Sequence, residues 1–571
     1  MKNIEIADIF YNIVDLLEMQ EKSFRSRAYE KAARILENMS EDVADIYHKG
    51  GLKALEEIPG VGSSIALKIE EYLKTDQIKS YQGLKKDLPI KVEELRAVEG
   101  LGPKKIKKLY KELGVKSLKD LERAAKSGEI SQLDDFGSIS EKNILKGIEF
   151  VKRSQGRFLL GQIMPLIREL YERLEKLKEV EKISLAGSIR RRKETIGDAD
   201  ILIASSKPEK VVDFFVNQPE VVRVWAKGST RSSVRLKAGF DCDLRVVENS
   251  SFGSALQYFT GNRYHNIATR RIAIQKGLKL NEYGLFRDKK KIAGSSEKEI
   301  YKAIGLPFID PELRENNGEI EAALENKLPQ LIKYDSLKGD CHCHSNWSDG
   351  AASIEEMAQA AQKMGYEYLA ITDHTRGLSV AHGLNEDDLK RQGEEIDKLN
   401  QKLKNFKILK GCEANIGLDG SIDINQEILK DLDLVIASIH SGMRRSAEEM
   451  TNRLIKTMEN PYIDIIGHPT GRVIFQREGY TFDWSKVLEK AKENHIALEV
   501  NSYYERLDLK DTDIKKAIEV GVKLVIDTDS HYPENLSFIE YGLAMARRGW
   551  AQEKDVLNTL SKDKLLQYFK K

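Results

Sequence analysis

Two patterns in this 571-residue chain have the residue types and spacing to do chemistry. The first is GSIRRRKETIGDADIL, residues 187–202, where Asp198 and Asp200 stand at i and i+2 behind four consecutive cations, Arg190, Arg191, Arg192 and Lys193. On a β-strand that spacing puts both carboxylates on one face, close enough to share a divalent ion. A Gly-Ser turn beside them can aim backbone N–H groups at an anion. Together these read as nucleotidyl transfer, while a charged loop leading into a strand with solvent-facing aspartates fits the same letters. A third carboxylate decides, and FDCDLRVV offers Asp241 and Asp243 on one face of a second β-favouring run.

The second pattern lies beyond residue 340, where eight of the ten histidines fall. Seven short apolar runs follow one another, nearly all ending on a residue able to ligate a metal: GDCHCHS, YLAITDHT, ILKGCEAN, LVIASIHS, IDIIGHPTG, ALEVNS and LVIDTDSH. Helical patterns separate them, the first opened by a Ser353–Glu356 capping box and closed by Gly365. Strands alternating with helices, with chemistry at the carboxyl ends, predict a TIM-like barrel, here with seven strands instead of eight. Cys341 and Cys343 alternate with His342 and His344, so a strand points them to the opposite face as packing residues. His382 and His495 read as isolated packed or surface histidines.

The elements that must position these groups divide the chain. A single core stops growing at roughly 250–300 residues, so several domains are expected. The net charge of +1 conceals an asymmetry: residues 151–340 carry 35 Lys+Arg against 26 Asp+Glu, and residues 341–571 carry 31 against 38. A basic middle calls for a polyanionic partner and an acidic, His-rich end for cations. The first 150 residues read as short helices with two related segments, IPGVGSSIALKIEEYL from Ile58 and VEGLGPKKIKKLYKEL from Val98. In each a Gly-x-Gly turn, Gly60 and Gly62 or Gly100 and Gly102, opens a helix whose free amides can meet a phosphate without reading sequence. The second copy adds Lys104, Lys105, Lys107, Lys108 and Lys111. The four cysteines show no disulfide spacing, and no run approaches the 18 apolar residues of a membrane span, so a cytoplasmic, nucleoid-associated protein is expected.

The order helix-hairpin-helix, Gly-Ser with Arg, Gly-Asp-x-Asp, Asp-x-Arg, YFTG (Tyr258 to Gly261) and NEYGLF from Asn281 resembles the family X DNA polymerases, with their DNA polymerase beta-like core, over about residues 5–315. The resemblance implies that Asp198, Asp200 and Asp243 hold two catalytic Mg²⁺ ions and that Asp241 does not. It matches Arg157, Ser188, Arg191 and Gly197 to triphosphate contacts, and Tyr258, Phe259 and Gly261 to the segment against the incoming sugar. Asn266 and Arg270 match minor-groove checks on the nascent pair. Of the four cations only Arg191 is expected as a direct ligand, the others forming a solvated face or DNA-backbone contacts. Lys68 matches a Schiff-base lysine of lyase-competent members, but Ser64 replaces a phosphate-binding lysine found in vertebrate relatives, and a helix-surface lysine among Glu70, Glu71 and Lys74 fits equally.

The C-terminal runs resemble the PHP (polymerase and histidinol phosphatase) domain. On that resemblance the ligands are His342, His344, Asp349, His374, Glu413, His440, His468, Asp529 and His531, enough for up to three Mn²⁺ or Zn²⁺ ions and a phosphodiester-cleaving water.

The expected architecture is multidomain: a helical domain with the first hairpin (1–80), a fingers-like helical domain with the second (81–150), an α+β nucleotidyltransferase palm (151–261), a thumb (262–317), a linker (318–338) and a distorted seven-stranded α/β PHP barrel (339–571). The expected function is gap filling in base-excision-type DNA repair by a monomer acting on gapped or nicked DNA and deoxynucleoside triphosphates. A 3′-5′ exonuclease, with apurinic-site cleavage as an additional activity, would occupy the barrel. The alternatives are a barrel that is a structural metal-bound module, and an RNA nucleotidyltransferase.

Overall fold

Apolar periodicity makes the first part of the chain helical. Helix Lys2–Met19 buries Ile6, Phe10, Ile13 and Leu17 along one stripe, the spacing of a single helical face. The computed structural model describes residues 2–19, 23–38, 43–58, 60–96, 98, 101–153, 157–378 and 381–569. The chain folds as two units, Met1–Gln155 with Phe475–Glu478, and Gly156–Ile474 with Gly479–Lys571.

In the first unit the two hairpin helices start alike. Helix Ser63–Thr75 follows Gly62 at φ −79° and ψ 168°, and helix Pro103–Leu113 follows Gly102 at φ −80° and ψ 169°. Neither cap residue has a side chain to satisfy the first amides, which in the second helix begin at Lys104 because Pro103 has no N–H. Gly60, at φ +86°, makes the turn before the first helix; Gly100 lies outside the described residues.

The second unit begins with a five-stranded sheet in the order Lys182–Leu185, Asp198–Ala204, Asp241–Val247, Arg231–Leu236, Val221–Lys227. The two acid-bearing strands are parallel neighbours, with Asp198 opposite Asp241 and Asp200 opposite Asp243. A three-stranded antiparallel sheet, residues 279–293, follows with helices Arg263–Gln275 and Glu297–Ala303. Seven parallel strands then run in sequence order: Gly339–Asp340, Tyr368–Ile371, Lys407–Asn415, Leu434–Ser438, Ile465–Ile466, Ala497–Asn501 and Leu524–Asp527. The parallel bridge Cys343↔Ser530 joins the last back to the first, so the sheet is a nearly closed seven-stranded barrel. Apart from the half-buried Lys407 and Lys410 its strands are buried throughout, which is why they read as continuous apolar runs rather than alternating ones. The Ser353–Glu356 capping box forms, and the four cysteines are buried free thiols.

Candidate active sites

In the palm, strand pairing does what the i, i+2 spacing promised, setting Asp198 and Asp200 beside Asp241 and Asp243. Burial, then the charges of Asp198 and Asp243, pushes Asp200 up to about 7; burial and Asp243 raise Asp198 as well. Such a cluster asks for a cation. Asp241 is committed elsewhere: Arg235 donates to both its oxygens, at 2.6 and 3.0 Å, and Trp225 Nε1 to Oδ1 at 2.8 Å. Asp243 instead faces the cleft lined by Ala186, Asp200, Arg231, Arg245 and Phe259. Gly187, at φ +57°, brings the turn of Ser188 so close that a Cβ there would collide with Asp200 Oδ2.

The other palm candidates have the following partners. Arg157 donates from Nε to Thr195 Oγ1 at 3.0 Å and from Nη2 to the Thr195 carbonyl, beside Gly197. Arg191 donates from Nε to Glu315 Oε1 at 3.0 Å and from Nη1 to the Thr260 carbonyl. Tyr258 and Phe259 close helix Phe252–Thr260, which Gly261 ends at φ 68°. Asn266 is buried and engaged at both amide atoms, donating to the Tyr258 carbonyl at 2.7 Å and accepting from Gln257 at 2.9 Å; Arg270 Nε donates to its carbonyl at 3.1 Å.

The expected solvated face of the basic run is not found. Arg190 forms a two-pronged pair with Glu297, at 3.0 and 2.6 Å, that Arg314 shares from the other side at 2.6 Å. Arg192 reaches Glu540 at 3.7 Å and Lys193 reaches Glu315 at 3.8 Å. The acids that draw these side chains inward lie more than 100 residues downstream, out of reach of local pattern reading.

In the barrel the histidine-bearing strand ends converge. His344, Asp349, His374 and His531 offer ligand atoms within 4.8 Å of one another, as do His342, His344 and Asp529, and His374, Glu413 and His440. His468 Nε2 lies 3.1 Å from Glu413 Oε1. All nine expected residues are thus gathered. Several buried atoms of these residues have no hydrogen-bond partner: His342 Nε2, His344 Nδ1, His374 Nδ1, His468 Nδ1 and Glu413 Oε2. Imidazole and carboxylate lone pairs left unsatisfied in a dry site fit divalent metals. Burial opposes ionisation of Glu413 and Asp529, but the imidazoles around them hold both far below the ordinary carboxylate range. His468 at φ 25° and Asp529 at φ 53° sit in left-handed backbone, a cost of roughly 1–3 kcal/mol each that functional sites tend to carry.

Sequence reading missed the residues that aim these candidate ligands. Glu499 accepts from His342 Nδ1 at 2.6 Å and from the His468 amide, Asn415 Oδ1 holds His440 Nδ1 at 2.6 Å, and Asn501 donates to Asp529 at 3.1 Å. Such partners fix tautomer and orientation. Asp527, fully buried beside Glu499, is pushed far up by burial and by that neighbour's charge. The signal was available: an acid inside ALEV or LVID is too costly to bury without a task.

The hairpin candidates are placed without convergence on a cleft. Lys104 is exposed, Lys105 Nζ lies 5.5 Å over the Phe136 ring, and Lys108 is tied to Asp135 at 3.0 Å and to the Asp134 carbonyl. Half-buried Lys68 pairs with Glu71 at 3.4 Å.

The chain matches four described families: a helix-hairpin-helix domain over residues 1–78, a SAM-like helix-hairpin-helix tandem over 92–149, the DNA polymerase beta thumb over 255–315 and the PHP domain over 340–505. It is 38% identical over 566 residues to the DNA polymerase/3′-5′ exonuclease PolX of Bacillus subtilis (strain 168), covering 98% of each chain. A probable phosphatase of Thermoanaerobacter sp. (strain X514) is 33% identical over 243 residues, 40% of this chain and 94% of that one. A probable phosphatase of Clostridium botulinum (strain Okra / Type B1) is 32% identical over 241 residues, 40% and 93% respectively. Among the described residues no helix is long and apolar enough to cross a membrane.

Proposed function

The chain belongs to the family X DNA polymerases that carry helix-hairpin-helix domains and a C-terminal PHP domain, and from that premise we propose that it fills short gaps in damaged DNA and trims 3′ ends with the barrel. The observation that carries the reading is the pairing of Asp200 with Asp243 on parallel strands, with Asp198 alongside, in a cleft that raises Asp200 to about 7. Asp198, Asp200 and Asp243 would hold two Mg²⁺ ions, which when bound supply neutralisation of the triphosphate and alignment of attacking and leaving oxygens. Arg191 receives the triphosphate chiefly through Nη2, since Nε and one N–H of Nη1 are already engaged. The Gly187–Ser188 turn packs against Asp200, and its amides would meet the same anion. Tyr258, Phe259 and Gly261 form the wall against the sugar, and Asn266 braces that wall through the Tyr258 carbonyl. The hairpin amides after Gly62 and Gly102, with Lys104 and Lys105, hold the DNA backbone without reading bases.

In the barrel the nine gathered residues would hold Mn²⁺ or Zn²⁺, which supplies a hydroxide-like water for phosphodiester hydrolysis. Glu499, Asn415 and Asn501 keep the ligands aimed. A labelled gapped duplex tests the whole reading. With deoxynucleotides and Mg²⁺ the primer should lengthen to fill the gap; without nucleotides, in Mn²⁺, it should shorten from its 3′ end. Extension of RNA but not gapped DNA would overturn the polymerase half. Loss of label only from the 5′ side would overturn the nuclease half. A duplex with an abasic site in the same assay reports strand incision and, through borohydride trapping, any Schiff base at Lys68.

A further inference from the structure

We propose that Arg548, a residue of the C-terminal barrel, positions the nucleotide-binding arginine of the palm. The inference rests on the reading of Arg191 as the triphosphate contact and adds to it a determinant from another domain.

Arg548 ends helix Ile539–Arg548, which packs on barrel strand Leu524–Asp527 and also on the turn Pro311–Leu313 near the end of the thumb. Its side chain is 3% exposed, so its charge must be paired where it lies. Three acceptors surround it. Nη1 donates to the Arg191 carbonyl at 2.8 Å and to Glu315 Oε1 at 3.0 Å, and Nη2 donates to Asp511 Oδ2 at 2.6 Å. The same Glu315 oxygen accepts from Arg191 Nε, and its other oxygen accepts from Asn262 Nδ2 at 3.2 Å. Glu315 is therefore a hub. Burial works against its charge, but Arg548, Arg191 and Lys193 together bring it down to about 2.

The geometry makes the hub a positioning device and not a loose ion pair. Asn262 and the Thr260 carbonyl flank Gly261, so Glu315 ties the phosphate side of the nucleotide site, Arg191, to its sugar side. Arg548 holds the hub at two points at once, the carboxylate and the Arg191 backbone, with the fixed fork of a guanidinium. Asp511, at the start of helix Asp511–Val520 in the barrel, holds Arg548 in turn. Remove Arg548 and the Glu315 charge falls on Arg191 and Lys193 alone, while the Arg191 carbonyl is left without its donor. Arg191 should then close on Glu315 and present Nη2 poorly to the triphosphate.

Steady-state gap filling on the full chain tests this. Arg548→Ala should raise KM for the deoxynucleoside triphosphate about tenfold and leave kcat within about twofold, as expected when ground-state binding is weakened. KM for gapped DNA and the 3′ exonuclease should match the parent. Arg548→Lys keeps the charge without the fork and should recover part of the affinity. Because Arg548 is buried, Asp511→Asn serves as the second variant, at a residue whose side chain is 27% exposed, and should shift the same KM in the same direction. Arg191→Ala tests the reading underneath: an unchanged nucleotide KM there would remove the premise. A raised KM for Arg191→Ala beside an unchanged one for Arg548→Ala and Asp511→Asn would overturn the inference alone. A fall in kcat and exonuclease together, with KM constant, would mark Arg548 as merely structural and overturn it too.

Discussion

His374 Nδ1 lies 2.7 Å from Glu413 Oε2, yet neither atom makes a hydrogen bond. At that distance misalignment is what prevents one, so both atoms keep lone pairs that a third partner can satisfy. His342 Nε2, 3.5 Å from the same carboxylate oxygen, is likewise without a partner. A metal ion is the partner that such a set of donors fits.

The double change His342→Ala with His344→Ala should therefore remove at least one bound metal per chain, measured by mass spectrometry of the purified protein. The 3′ exonuclease should vanish while gap filling continues. Mn²⁺ should stimulate the parent nuclease more than Mg²⁺, because imidazole suits the softer ion. A folded double variant that shortens 3′ ends at the parent rate would reduce the barrel to a structural module.

Asp200→Ala should abolish nucleotide addition and leave 3′-end shortening intact, since the acids of the palm and the cluster of the barrel are separate sets of residues. Electrostatic stabilisation supplies most of phosphoryl-transfer catalysis, so the loss should span several orders of magnitude. Asp241→Asn should cost far less chemistry, because Asp241 is bound to Arg235 and Trp225. Equal losses at the two positions would count against the assignment of Asp243 as the third acid.

That last distinction shows where sequence reading ends. Spacing alone offered Asp241 and Asp243 on one face without ranking them; only the family resemblance did, and the physical reason lies in Arg235, whose approach depends on strand pairing. The seven barrel strands were legible because each apolar run breaks on a polar residue, and the break is the site. Glu499 was passed over because it sits within its run and not at the break; an acid at such a core position already called for a partner, and His342 is found 2.6 Å away. The basic run misled for a third reason. Charges that pair across the fold with Glu297, Glu315 and Glu540 look the same, residue by residue, as charges that face water.

Arg190, Glu297 and Arg314 give a stability prediction. Burial alone would push Glu297 up, but the two guanidiniums outweigh it and bring it from 4.5 to about 2. Glu297 thus contributes stability that is fully present above pH 4.5 and is lost as the pH falls toward 2, a depressed carboxylate being worth about 1.4 kcal/mol per unit. Glu297→Gln leaves Arg314 buried with a neutral partner and should cost roughly 3–5 kcal/mol at pH 7. Urea unfolding followed between pH 7 and 3 should show the parent losing stability toward the variant below pH 4.5. Parallel curves throughout would contradict the shift.

The hairpin lysines divide by what they already touch. Lys104→Ala and Lys111→Ala, both at exposed positions, should weaken gapped-DNA binding equally for every sequence, and each phosphate that the protein no longer neutralises should flatten the log K against log salt slope by roughly 0.9. Lys108→Ala should instead lower the melting temperature of the helical unit, because Lys108 is bonded to Asp135 and the Asp134 carbonyl. A sequence-dependent weakening for the exposed pair would argue against anchoring through phosphates.

Gly187→Ala separates shape from charge at the proposed polymerase site, since it alters neither a proposed ligand nor a cation. The residue holds φ +57°, where a non-glycine residue is strained, and its added Cβ would overlap Asp200 Oδ2. Two responses are open to the protein. The turn can lift, which takes the Ser188 amide away from the anion, or Asp200 can rotate, which takes its carboxylate away from Asp198 and Asp243. Either breaks an arrangement that must be held within a fraction of an ångström, so gap filling should fall by at least about a hundredfold. The strain is local and the sheet beneath is intact, so the exonuclease should survive and the melting temperature should drop by only a few degrees. Full gap-filling activity in Gly187→Ala would mean that the turn and Asp200 do not act on the same substrate, and the palm reading would have to be rebuilt around other residues.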